Sequence, residues 1–216
     1  MTRQQLKAMA KEQIKGNIGI LFLIMLIIAV ISGVASTVCA VIPVVGPFIP
    51  VIIITPAFAI STIRVYQGLA IGKKPQASDA FSGFDDFWSA FKAFLLVGIY
   101  TFLWSLLFII PGIIKSFSYS QTMYIVAENP GIGAKEAINR SKKMMEGHKL
   151  DLFVLALSFI GWYILAGFTF GILCIWLIPY VNATLINFYN SIKPVAQEPN
   201  AECAEDAQPA TDAVSE

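Results

Sequence analysis

The chain has 216 residues, 56% hydrophobic and 13% charged, where an average soluble domain carries about 25% charged residues. The apolar residues fall in long uninterrupted runs, which excludes an ordinary soluble globule and points to helices that face lipid. The net charge of +1 hides an asymmetry: every Lys and Arg lies at or before Lys193 and six acids follow it, so the body carries +7, a sign suited to anionic membrane headgroups and not read here as a nucleic-acid surface.

Residues 1–17 form a basic amphipathic segment. Arg3, Lys7, Lys11 and Lys15 recur every four residues, a spacing that stacks them along one slowly drifting helical stripe and reads as a positive-inside anchor. From Ile18 to Ile42 nothing is charged, and at about 1.5 Å per residue this run crosses about 30 Å of hydrocarbon. It is longer than the core of a signal peptide and is expected to be an uncleaved first span. Pro43-Val44-Val45-Gly46-Pro47 breaks it, because proline removes a backbone donor and disfavours helix before it. A second span is expected from Phe48 to Tyr66, with Arg64 snorkelling to the headgroups.

The following linker, Gly68-Leu69-Ala70-Ile71-Gly72-Lys73-Lys74, comes near the phosphate-binding-loop pattern and fails it. Its glycines are one residue too close, and Lys74 stands where a Ser or Thr would ligate magnesium. From Ser78 to Phe91 the pattern predicts an interfacial helix capped by Ser78. Phe81, Phe84, Phe87, Trp88 and Phe91 then share one face, opposite Asp79 and Asp86, to rest at headgroup level or pack on neighbouring spans.

Lys92 to Glu128 decides the topology. As a single span it would leave the loop with Lys135, Arg140, Lys142, Lys143 and Lys149 outside, against the positive-inside rule. A tight turn at Ile110-Pro111-Gly112 instead gives two short spans, Phe94–Ile110 and Ile113–Ala127, with Lys115 snorkelling outward. The second contains Ser116, Ser118, Tyr119, Ser120, Gln121 and Thr122 and is too polar to face lipid all round. Those groups are expected to form interhelical hydrogen bonds or, with Asn182, to line an intramembrane polar path.

Asn129-Pro130-Gly131 opens a polar segment that reads as a helix from Ala134 to Glu146, closed by Gly147. Ala134, Ala137, Ile138, Ser141 and Met145 lie on one side of it. Lys135, Arg140, Lys142 and Lys143 outnumber Glu136 and Glu146 on the remainder. His148, the only histidine, reads as a solvated helix end. Two last spans, Leu152–Ala166 and Ile172–Tyr189, meet near Gly167–Gly171, and Asn182 and Asn187 in the second require partners inside the bundle. Residues 194–216, rich in acids, Pro and Ala and without an aromatic, carry the composition of disorder. Cys39, Cys174 and Cys203 are dispersed, so neither a disulfide framework nor a metal site is expected.

The expected fold is therefore an all-α membrane protein: six transmembrane helices as three hairpins over residues 18–193, interfacial amphipathic helices on the cytoplasmic side, and both termini cytoplasmic. Lys15-Gly16-Asn17, Ile110-Pro111-Gly112-Ile113-Ile114, Glu128-Asn129-Pro130, Glu136-Ala137-Ile138 with Ser141, Met145-Glu146-Gly147-His148, Leu157 to Trp162, and Pro179-Tyr180 with Phe188-Tyr189 together resemble the DUF975 family of bacterial integral membrane proteins. The resemblance runs from Met1 to Lys193. It implies a membrane-domain role, with no established reaction and no catalytic residues to carry over. The chain is also distantly similar to the membrane domain that precedes some glycerophosphodiester phosphodiesterases, whose catalytic barrel has no counterpart here.

The sequence bears on three functional classes. An enzyme needs convergent titratable groups, and the adjacent Asp85 and Asp86 point about 100° apart on a helix, so no catalytic, cofactor or metal residues are assigned. A transporter of small solutes or lipids is the alternative, on the path Ser116, Tyr119, Ser120, Gln121 and Asn182. The favoured class is a noncatalytic module of the inner membrane that organises anionic lipids or protein partners from its cytoplasmic face. Its surface residues are Lys135, Arg140, Lys142, Lys143, Phe81, Phe84 and Trp88.

Overall fold

The computed structural model describes residues 3–39, 48–107, 109–169 and 171–193, with side chains at 48–51, 107 and 109–111 excepted. Among the described residues it is all helix, without a strand. The elements are α1 (Arg3–Ile14), α2 (Ile18–Cys39), α3 (Phe48–Ala70), a short 3₁₀ helix (Ala77–Phe81), α4 (Phe87–Leu107), α5 (Ile109–Tyr119), α6 (Thr122–Glu128), α7 (Ala134–Met144), α8 (Lys149–Phe168) and α9 (Cys174–Ile192). Among the described residues four stretches are long and apolar enough to cross a membrane: 18–39, 52–70, 87–106 and 149–168. α9 has 19 residues and buries a much more polar face, with Thr184 and Asn187 in the core.

Exposed and packed surfaces separate along α2. Leu21 and Ile24 are buried, whereas Val30, Val34 and Val38 are 54%, 58% and 66% exposed, so only the first half of α2 joins the core. That core draws on every long helix, with Ile60 of α3, Val126 of α6 and Leu177, Ile186 and Tyr189 of α9 nearly inaccessible. α1 lies on α9 through Leu6, Ala10 and Ile14. Its Lys7 ammonium sits 4.5 Å from the Phe159 ring centre, and burial there lowers the Lys7 pKa.

Two expected boundaries move. The helix predicted over Ser78–Phe91 does not form: Ala77–Phe81 is a single 3₁₀ stretch, residues 82–86 turn, and Phe87 opens the long α4. The reason is a contact with α3. Gly83 donates its backbone N–H to Ser61 Oγ at 2.9 Å, and Asp86 pairs with Arg64. Those tertiary bonds outweigh the helical periodicity of the phenylalanines. The turn predicted at Ile110-Pro111-Gly112 is helical, because a proline in the first turn of α5 forfeits no hydrogen bond.

α5 returns antiparallel along α4. A β-carbon at Gly112 would lie 2.6 Å from Ser105 Oγ, Lys115 sits over the Trp104 ring at 4.8 Å, and the Tyr119 and Tyr100 ring centres are 6.2 Å apart. The return is broken at Ser120-Gln121, so the expected span Ile113–Ala127 is two short helices of 11 and 7 residues. Side chains that satisfy the backbone locally favour such a break. Ser118, Ser120 and Ser116 donate to Ile114, Phe117 and Ile113 carbonyls at 3.1, 2.8 and 2.7 Å. These hydroxyls thus bond within their own segment and not across to another helix.

Candidate functional site at the charged end of the bundle

The starts of α2, α4 and α8 and the ends of α3, α6 and α9 gather at one end of the bundle. Arg64 of α3 holds that arrangement. Its Nε donates to the Ala127 carbonyl at the end of α6 at 3.2 Å, its Nη1 to the Ser82 carbonyl, and its Nη2 to Asp86 just before α4. At the same level Glu128 accepts from Tyr189 Oη at 2.6 Å and from Lys193, joining α6 to α9. Arg64 is thus an internal tie and not the headgroup anchor expected from the sequence, and Glu128 has a role that no local pattern signals. Neither partner was legible, because residues 22 and 61 positions apart are joined only by the packing.

Of the fifteen Lys and Arg, all but Lys115 lie in α1, in α7, in the joining segments or within about two turns of helix ends at this end. The eight acids before the tail lie there too. The opposite end is almost free of charge.

α7 has the expected two faces. Ala137, Ile138, Ser141 and Met145 are buried, with Ser141 Oγ donating to the Ser118 carbonyl at 2.8 Å. Gly147, at φ +82°, turns the chain towards α8 after the helix ends. Lys135, Arg140 and Lys143 are exposed and Lys142 is half-buried. Arg140 pairs with Glu136 at 2.7 Å, and the Lys142 ammonium stands 5.6 Å from the Tyr119 ring centre.

The aromatic residues gather without the helix proposed to align them. Phe81 and Phe84 have ring centres 6.3 Å apart, and Phe84 also sets its edge against Phe58 at 5.4 Å. Trp88 contacts Phe87 and Phe91 in the first turns of α4. Phe81, Phe84 and Trp88 stay exposed, Trp88 at 67%.

The residues expected to line a polar path have different surroundings. Ser116 is exposed, Tyr119 is buried against Tyr100, and Ser120 Oγ accepts from Gln121 Nε2 at 3.0 Å. Asn182 lies on α9 beside the Tyr66 hydroxyl. Among the described residues, Gln121 Oε1 and Thr122 Oγ1 are buried without a hydrogen-bond partner.

One groove joins the two surface sets. It lies between α4 and α7, has a volume of about 450 Å³, and is bounded by Lys92 on one side and Lys135 on the other. The Lys92 ammonium is 5.8 Å from the Trp88 ring centre, so the aromatic cluster and the basic helix meet there.

Among known proteins, the family described as "Protein of unknown function (DUF975)" matches residues 1–118 and 106–196. No curated protein and no solved structure matches the chain. The matched segments together run from α1 to just beyond α9 and take in the whole charged end, and the chain belongs to the DUF975 family.

Proposed function

We propose that this is a noncatalytic, multi-pass protein of the cytoplasmic membrane, whose charged end faces the cytoplasm and gathers anionic lipids or acidic partners. α5 and α6 together, with α9, complete six passes, and both termini are cytoplasmic. The observation that carries the reading is the placement of fourteen of the fifteen cations at one end, the distribution that the positive-inside rule assigns to the cytoplasmic leaflet. α7 supports it further. Its apolar face is spent on the bundle, so Arg140 and Lys143 remain towards solvent or headgroups and Lys142 is half-exposed at the edge of the same face, each charge worth about 1 kcal/mol beside an anionic surface.

The test is to change Arg140, Lys142 and Lys143 to Gln and to extract the protein with its surrounding lipid in polymer nanodiscs. Anionic lipid should be enriched around the native protein relative to the bulk membrane, and salt and the triple change should each diminish the enrichment. Insertion is verified in the same sample, since loop charges also set topology. A correctly inserted triple variant that keeps full enrichment and full cellular function would reduce the basic face to a topology signal.

A further inference from the structure

The groove between α4 and α7 carries more than a general attraction for negative charge. Its floor is Leu95, Leu96 and Ile99 of α4 with Ala134 of α7, and Lys92 and Lys135 stand at its mouth. Leu95 and Ile99 are 42% and 45% exposed and belong to a helix long and apolar enough to cross a membrane, so in that membrane the floor opens sideways to the acyl chains. Gly133 is the N-cap of α7, an 11-residue helix, and having no side chain it supplies no cap to the first turn. The first N–H groups of α7 therefore lack an internal acceptor and add positive potential beside Lys135. No acid lines the groove, and the nearest carboxylate on α7, Glu136, is taken by Arg140.

The geometry points to a binding site for one anionic phospholipid: its phosphate between Lys92, Lys135 and the first turn of α7, and an acyl chain along Leu95, Leu96 and Ile99. The complementarity is of two kinds. Two cations in a groove that no acid lines select a headgroup of net negative charge over a zwitterionic one. The apolar floor selects a ligand with chains over a soluble phosphate. The site rests on the reading of the charged end as a lipid-gathering surface, and it deepens that reading from an attraction to a stoichiometric site.

Native mass spectrometry of the purified full chain, titrated with phosphatidylglycerol, phosphatidylcholine or soluble glycerol 3-phosphate, tests it. One phosphatidylglycerol should be retained preferentially, and glycerol 3-phosphate should not bind at the same concentration. Lys92→Gln with Lys135→Gln should weaken phosphatidylglycerol retention about thirtyfold, the effect expected of two charges at a membrane surface. Lys73→Gln with Lys74→Gln, which removes the same charge from the same end, should change it by less than about threefold. Leu96→Trp, which fills the floor and keeps both lysines, should also lower retention, with thermal melting confirming that each variant is folded. Equal losses in the two double variants would eliminate the site while leaving the broader attraction intact. Equal retention of phosphatidylglycerol and phosphatidylcholine by the native chain would remove the selectivity and the site with it. Binding of glycerol 3-phosphate as tight as that of the lipid would replace the lipid with free phosphate and overturn the assignment.

Discussion

At the residue scale, glycine sets how closely the segment before α4 approaches α3. A β-carbon at Gly83 would fall 1.9 Å from the Ala57 carbonyl oxygen and 2.8 Å from the Ser61 nitrogen. Those are backbone atoms of a packed helix and have little room to yield. Gly83→Ala should therefore cost about 1–3 kcal/mol, the usual range for an overpacked site, and lower the melting temperature in detergent. Gly98, inside α4, has nothing within 4 Å of an added β-carbon. Gly98→Ala should be neutral or stabilise by up to about 1 kcal/mol, because alanine loses less backbone freedom in a helix. Equal melting temperatures for the two variants would show that the α3 contact is not closed in the membrane. The same contact redirects Phe81 and Phe84: their sequence spacing is helical, but the Gly83–Ser61 bond and the Arg64–Asp86 pair impose a turn.

Among the elements, α1 is the one whose attachment rests on a small number of nameable bonds. Gln13 and Asn187 exchange amide hydrogen bonds of 3.1 and 3.0 Å, and Asn187 Nδ2 reaches the Leu6 carbonyl at 3.4 Å. Asn187 was expected to need a partner inside the bundle, and its partner is the amphipathic segment that the sequence assigned to an anchor. Asn187→Ala should release α1, at about 1 kcal/mol for each of the three hydrogen bonds lost, and raise hydrogen exchange across residues 3–14 by about a hundredfold. Exchange should stay unchanged in α3 and α6. A uniform rise through all three helices would mean that α1 is not a separable element. The broken return of α5 and α6 lies at the same scale. Its polar residues were legible as unsuited to lipid, but their preference for their own backbone carbonyls over other helices depends on where the neighbouring helices stand.

For the whole molecule, the decisive measurement is sidedness. With the native cysteines replaced by Ser, a cysteine at Thr169 should react with an impermeant maleimide in intact cells, and one at Lys143 only after permeabilisation. Reversed labelling would invert the molecule and remove the cytoplasmic surface from the proposal. Gly112, a position suggested by the sequence as an outer turn, is a poor probe site, because a side chain there would meet Ser105 at 2.6 Å. Gly46 and Cys203, the other natural topology markers, lie outside the described residues.

Composition and pattern by themselves determined the membrane class, the apolar runs that became α2, α3 and α8, the buried face of α7 and the clustering of charge near alternate helix ends. These follow from local periodicity and from the cost of placing charge in hydrocarbon, which act on each segment alone. The tertiary structure decided the start of α4, the break between α5 and α6, the internal role of Arg64, and the groove that brings Lys92 to Lys135. Each depends on groups distant in the chain meeting in low dielectric, where an unpaired polar group is expensive and the partner that satisfies it overrides local preference.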